Sequence, residues 1–207
     1  MNRLVVHQGE FGREVARRLQ RADRTALTLR EFLAAPAPVG AGDGIFLVSS
    51  TPAYDAFRRF ARVMEGANAH WTLGYLNNAQ AICGPRFGPS PGPCFDCYLK
   101  RTLSHANDLS GVEQELALGH FYSSDLSRDH PGHAATAAWA MAEQLARVAQ
   151  EDDIGRVIRF GLLEVEITAG RIIPIHGCPR CRPGSGGPRR FVERIKAILG
   201  SGGTHGD

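Results

Sequence analysis

An α/β fold with a mostly parallel sheet is what this sequence predicts, on three observations. Short apolar runs alternate with stretches of helical periodicity, a glycine-bearing turn joins the first run to the first such stretch, and a period-two pattern late in the chain reads as a β-hairpin. The chain has 207 residues, 43% hydrophobic and 22% charged, which suffices for one core and excludes both a peptide-sized scaffold and a disordered tail. Its 24 basic and 21 acidic residues leave a net charge of +3. That falls short of the excess expected of a dedicated nucleic-acid binder. No apolar run approaches the roughly 18 to 20 residues of a membrane helix, and no signal-peptide core precedes the first strand. The expected location is the cytoplasm, with neither nucleic acid nor membrane as partner.

Residues 3–7 form the first strand pattern, and Gly9 and Gly12 turn the chain into a helix carrying Val15, Ala16 and Leu19 at helical spacing among arginines. Residues 26–29 offer a second short strand and 31–35 a brief helix that stops at Pro36. A Pro/Gly loop over 37–44 leads to an apolar strand at 45–49. Tyr54, Phe57, Phe60, Ala61 and Met64 then recur with helical period, and residues 71–76 restore strand character. Four prolines between Pro85 and Pro93 are expected to end regular structure there. Helical patterns follow near 112–121 and over 134–149, separated by a polar stretch at 123–133. Strand patterns at 157–168 and 171–175 flank Ala169-Gly170, which reads as the hairpin turn. A last amphipathic helix carries Phe191, Val192, Ile195, Ile198 and Leu199 on one face. Residues 1–199 thus read as one domain and 200–207 as a disordered tail.

Of the five cysteines, four fall in two identical steps, Cys94-Phe95-Asp96-Cys97 and Cys178-Pro179-Arg180-Cys181, while Cys83 stands alone in a strand pattern. Each step lets two thiolates approach one metal from a tight turn, and two such turns complete a tetrahedral four-sulfur zinc site. Pro93, Gly177 and Pro179 favour the turns such knuckles require. About 80 residues separate the pairs, so the ion would staple distant parts of the chain. Four sulfurs leave no open position for metal-bound water, which makes the predicted zinc structural. The competing reading is a redox Cys-x-x-Cys.

A phosphate-cradling turn after the first strand normally reads Gly-x-Gly-x-x-Gly. Here the first glycine is His7, Glu10 sets a negative charge in the turn, and no carboxylate follows Val48 until Asp55, the residues directly after it being the hydroxyls Ser49, Ser50 and Thr51. Gly9 and Gly12 are therefore weak nucleotide-binding candidates, and no catalytic residue is assigned. The bland alternative is that they let the helix pack against the strand.

This degenerate Rossmann-like turn, a Pro-Cys-x-x-Cys after the central strands and a hairpin leading to Cys-Pro-x-Cys together resemble the ThiF/MoeB superfamily of ubiquitin-activating-like proteins. Ile82-Cys83-Gly84-Pro85, followed by the run from Gly92 through the first cysteine pair to Arg101, looks most like the cyclodehydratase-associated ThiF-like partners of thiazole/oxazole peptide biosynthesis. The resemblance spans most of residues 1–181. It implies a structural zinc on Cys94, Cys97, Cys178 and Cys181, a homodimer, and a chain that binds a precursor (leader) peptide, a YcaO-type cyclodehydratase, or both. Active members adenylate a C-terminal carboxylate with ATP, and many then use a cysteine lying between the two pairs. No cysteine lies between Cys97 and Cys178. The resemblance therefore implies a non-catalytic scaffold, with an ATP-dependent adenylating enzyme as the alternative. Leader binding in such proteins is commonly carried by an N-terminal winged-helix module, whereas this sequence opens on the Rossmann-like strand. A separate recognition protein, or a different partner, is expected.

Three further features are weighed. His130 and His133 beside Asp129 could hold a metal, but no spacing completes a site and a polar loop is the expectation. Cys83 is expected to pack rather than react. The arginines at 13, 17, 18, 21 and 24 could meet an acidic leader, against the plainer reading of a solvated helix face.

Overall fold

Strand β1 (Arg3–Gln8) sends Leu4 and Val6 to one face of a sheet and Val5 to the other, and β3 (Gly44–Ser49) repeats the division with Ile45 and Leu47 against Phe46 and Val48. Because side chains alternate across a strand, apolar residues in succession mean a sheet covered on both faces. The computed structural model describes residues 3–20, 24–40, 43–77, 80–89, 92–104, 131–150, 154–162 and 166–181. In chain order β1 is followed by α1 (Gly9–Leu19), β2 (Arg24–Thr28), α2 (Leu29–Ala34), β3, α3 (Tyr54–Gly66), β4 (His70–Asn77), β5 (Gln80–Phe87) and α4 (Phe95–Ser104). Helix α5 (Pro131–Gln150), β6 (Arg156–Gly161) and β7 (Ile167–Arg171) complete the described elements. One seven-stranded sheet runs β2-β1-β3-β4-β5-β6-β7. It is parallel from β2 to β4 and antiparallel from β4 to β7.

Helices α1 and α5 cover one face, with Phe11, Val15, Met141 and Leu145 packed on Val5, Phe46 and Cys83. On the other face Phe32 of α2, Phe57 and Phe60 of α3, and Phe95 and Tyr98 of α4 meet Leu47, Trp71 and Tyr75. Phe57 and Phe60 are wholly buried, and each such ring contributes roughly 1.5–3 kcal/mol over an exposed one. The outer side of α1 is laced by pairs of Arg13 with Glu10, Arg17 with Glu14 and Arg18 with Glu14, so these three arginines belong to a solvated face. Helix α2 is short but well started. Thr28 Oγ1 accepts from the Glu31 N–H at 3.2 Å while Glu31 Oε2 accepts from the Thr28 N–H at 2.8 Å, a reciprocal capping box.

Two local expectations are corrected. The hairpin of β6 and β7 turns between Gly161 and Glu166, where the Gly161 N–H reaches the Glu166 carbonyl at 2.9 Å. Ala169 and Gly170 lie within β7, paired with Ile158 and Val157. Apolar residues at 162, 163 and 165 give that stretch of sequence strand character. Regular structure also survives Pro85. The β4/β5 register shifts between Thr72 and Gly74, where one residue of β4 faces both Gly84 and Pro85. A proline is tolerated at such a bulge because no ladder hydrogen bond is asked of it. The helical patterns at 112–121 and 189–199, most of the polar stretch before α5, and the tail at 200–207 fall outside the described residues. Among the described residues no helix is long and apolar enough to cross a membrane.

Candidate metal centre

Cys94 stands immediately before α4 and Cys97 in its first turn, while Cys178 and Cys181 follow β7 in a turn entered through Gly177, whose φ of 70° lies in the left-handed region. The four sulfurs all lie within 4.8 Å of one another. Cys94 to Cys97 is 3.7 Å, Cys94 to Cys178 is 3.7 Å and Cys97 to Cys181 is 3.4 Å. A disulfide would require about 2.05 Å. Four thiolates at ~2.3 Å from a central ion instead form a tetrahedron with edges of ~3.8 Å. All four are free thiols, and their number, type and spacing fit a metal ion.

Several contacts hold the knuckles in register. Phe95 is anchored among Phe57, Trp71, Phe87 and Tyr98, which fixes the first turn of α4 and with it Cys97. Arg101 Nε donates to the Ile173 carbonyl at 2.9 Å and the Ile175 N–H donates to Cys97 Sγ at 3.3 Å, both drawing the segment after β7 onto α4. The residues inside the two steps also pair. Arg180 of the second knuckle reaches Asp96 of the first at 2.9 Å and Glu65 of α3 at 3.0 Å, and Arg58 Nε lies 3.2 Å from Asp96. Burial pushes the Glu65 carboxyl up while Arg180 opposes that shift. Sequence spacing announced the cysteines but not this bridge, whose members lie on three separate segments.

Burial pushes the Cys94 thiol up, and charge on Cys97 adds to the effect. Cys181 is pushed up to about 11, chiefly by burial. Cys178 moves the other way, to about 7, because hydrogen bonds from the Cys181 and Arg180 N–H groups outweigh its burial. A divalent cation bound by the thiolates would offset the burial that raises Cys94 and Cys181.

No family model and no curated protein matches the sequence. Solved structures do match. A heterocyclase in complex with substrate and cofactor superposes with a TM-score of 0.59 at 14% identity over 88% of this chain and 26% of its own. The heterocyclase TruD gives 0.60 at 15% over 94% of this chain and 28% of its own. A chain of the E. coli microcin synthetase McbBCD complex gives 0.60 at 12% over 85% of this chain and 67% of its own. This is a ThiF-like fold. At these identities the likeness is one of fold, and the chain spans about a quarter of the length of the heterocyclases it matches.

Within this ThiF-like sheet the glycine turn after β1 has an unexpected occupant. Ser50 Oγ accepts from the Phe11 N–H at 3.0 Å and the Gly12 N–H at 3.3 Å. The Ser50 N–H in turn donates to the Gln8 carbonyl at 3.0 Å. Gly9, at φ 71°, has Ser50 Oγ 2.2 Å from where a Cβ would stand, and a Cβ on Gly12 would sit 2.8 Å from the Val48 carbonyl oxygen. The hydroxyl therefore occupies the α1 amides that a phosphate would use, and the residues present do not fit a nucleotide triphosphate. Asp55 is exposed beside Arg58. Cys83 is buried against the Met141 carbonyl, and burial raises its thiol far from reactivity. Asp129 and His130, the His133 side chain, and the side chains of Arg21 and Arg24 lie outside the described residues.

Proposed function

We propose that the protein is a zinc-stapled, non-catalytic ThiF-like scaffold serving thiazole/oxazole peptide biosynthesis. It binds a ribosomal precursor peptide, a YcaO-type cyclodehydratase or both, and leaves the chemistry to that partner. The observation that carries the reading is the joint presence of four sulfurs at tetra-thiolate spacing and a fold shared with heterocyclases and a microcin synthetase chain. Zinc is the ion that four cysteines in this geometry favour, and with four thiolates it supplies stability rather than an open coordination position. The Ser50-filled turn speaks for the scaffold over the adenylating alternative. The working setting is the cytoplasm, where reduced thiols remain available to metal, and the working state is a homodimer.

The test has three measurements on the purified chain. Elemental analysis is expected to give one zinc per chain, size-exclusion with light scattering a dimer, and immobilised protein is expected to retain the cognate cyclodehydratase or precursor peptide. Peptide-dependent exchange of pyrophosphate into ATP by this chain alone would overturn the scaffold reading. A chain free of zinc that cycles between thiol and disulfide would replace it with a redox protein.

A further inference from the structure

A cavity of about 660 Å³ opens at the carboxyl ends of β1 and β2 and shares no residue with the knuckles. Its size is that of a ligand site, and its place beside the reversal of strand order between β1 and β3 is where open α/β sheets take ligands. One arginine from each of three helices lines it: Arg13 of α1, Arg30 of α2 and Arg59 of α3. Arg13 is engaged by Glu10. Arg30 and Arg59 are exposed and have no ion-pair partner among the described residues. Leu29 and Leu33 supply apolar wall.

The lining selects among anions. A phosphate chain is disfavoured, because the Phe11 and Gly12 amides that would cradle it are bonded to Ser50. Two guanidiniums without an ion-pair partner among the described residues, bordering an aliphatic wall, suit carboxylates carried on a chain that also bears apolar side chains. Gln8 also lines the cavity and adds a polar amide to its wall.

We propose that this cavity binds an acidic peptide segment, with Arg30 and Arg59 receiving carboxylates and Leu29 and Leu33 packing an aliphatic side chain beside them. The proposal deepens the function above and rests on it only in taking the segment to belong to the precursor peptide.

The experiment titrates the zinc-loaded full chain into a short fluorescent peptide alternating Glu and Leu, with a Gln/Leu peptide of equal length as control. Saturable binding of the acidic peptide is expected. It should weaken by about tenfold or more for the Gln/Leu peptide and for the Arg30→Glu/Arg59→Glu variant, and excess ATP should not displace it. Both arginines are exposed, so an unchanged circular dichroism melt is expected to certify the variant's fold, and Arg30→Ala/Arg59→Ala provides a second variant. Equal affinity for the two peptides, undiminished binding by both variants, or displacement by ATP would overturn the proposal. Capture of the cyclodehydratase is read in parallel. If capture persists while the acidic peptide fails to bind, this inference falls and the scaffold stands. If capture and zinc are both lacking, the scaffold falls, and the titration decides the cavity on its own.

Discussion

Ser50 ties the start of α1 to the end of β3 through partners 38 and 39 residues away in sequence. Replacing it by alanine leaves two amides without their acceptor, and Ser50→Ala is expected to cost about 1 kcal/mol in urea denaturation. Nothing local in Val48-Ser49-Ser50-Thr51 distinguishes Ser50 from its neighbours, so this contact was not legible in the sequence. The cysteines were, because ligand spacing is a local pattern and each pair spans one turn. Their individual roles separate by substitution. Cys97→Ser is expected to abolish stoichiometric zinc, read by elemental analysis, and to destabilise the chain by more than about 4 kcal/mol. Cys83→Ala should retain one zinc per chain, since Cys83 packs on the opposite face of the sheet from Phe95, Tyr98 and Leu99 of α4.

At the scale of elements, the strands and helices with strong period were legible: β1, β3, β4, α1, α3 and α5 all form where apolar spacing placed them. Errors arose where local chemistry and pairing disagree. Ala169-Gly170 has turn composition but sits on an exposed edge strand, where Gly170 has nothing to displace and no positive φ to adopt. Gly84-Pro85 has breaker composition but falls at a bulge. Pairing is a long-range fact, and one sequence does not display it. The bridge between the knuckles is another such fact. Arg180 and Asp96 are each about one-third exposed, so a double-mutant cycle on Arg180→Ala and Asp96→Asn is expected to give a coupling of only ~0.5–1 kcal/mol. Read as competition against a chelator, the same cycle reports how far the bridge sets zinc affinity.

For the whole molecule, the ligand set joins the C-terminal side of the hairpin to the helix that follows β5, so metal occupancy and global stability should move together. Protons compete with the ion for the same sulfurs. With Cys178 ionising near 7 and Cys94 and Cys181 held higher, zinc affinity should fall steadily as pH is lowered, and the metal-dependent part of the melting temperature should fade with it. Calorimetric melts from neutral to acidic pH, with and without chelator, check this. The two curves should converge at low pH, and convergence at high pH would contradict it. The wide separation of the two pairs also sets an order of events. Either pair alone offers two sulfurs, and the full shell exists only after β5, β6 and β7 have closed a loop of about 80 residues. An ion bound by this set would therefore act as a latch on the final docking rather than as a seed of the first structure. Refolding with and without zinc should share its early phases and part company only at the last.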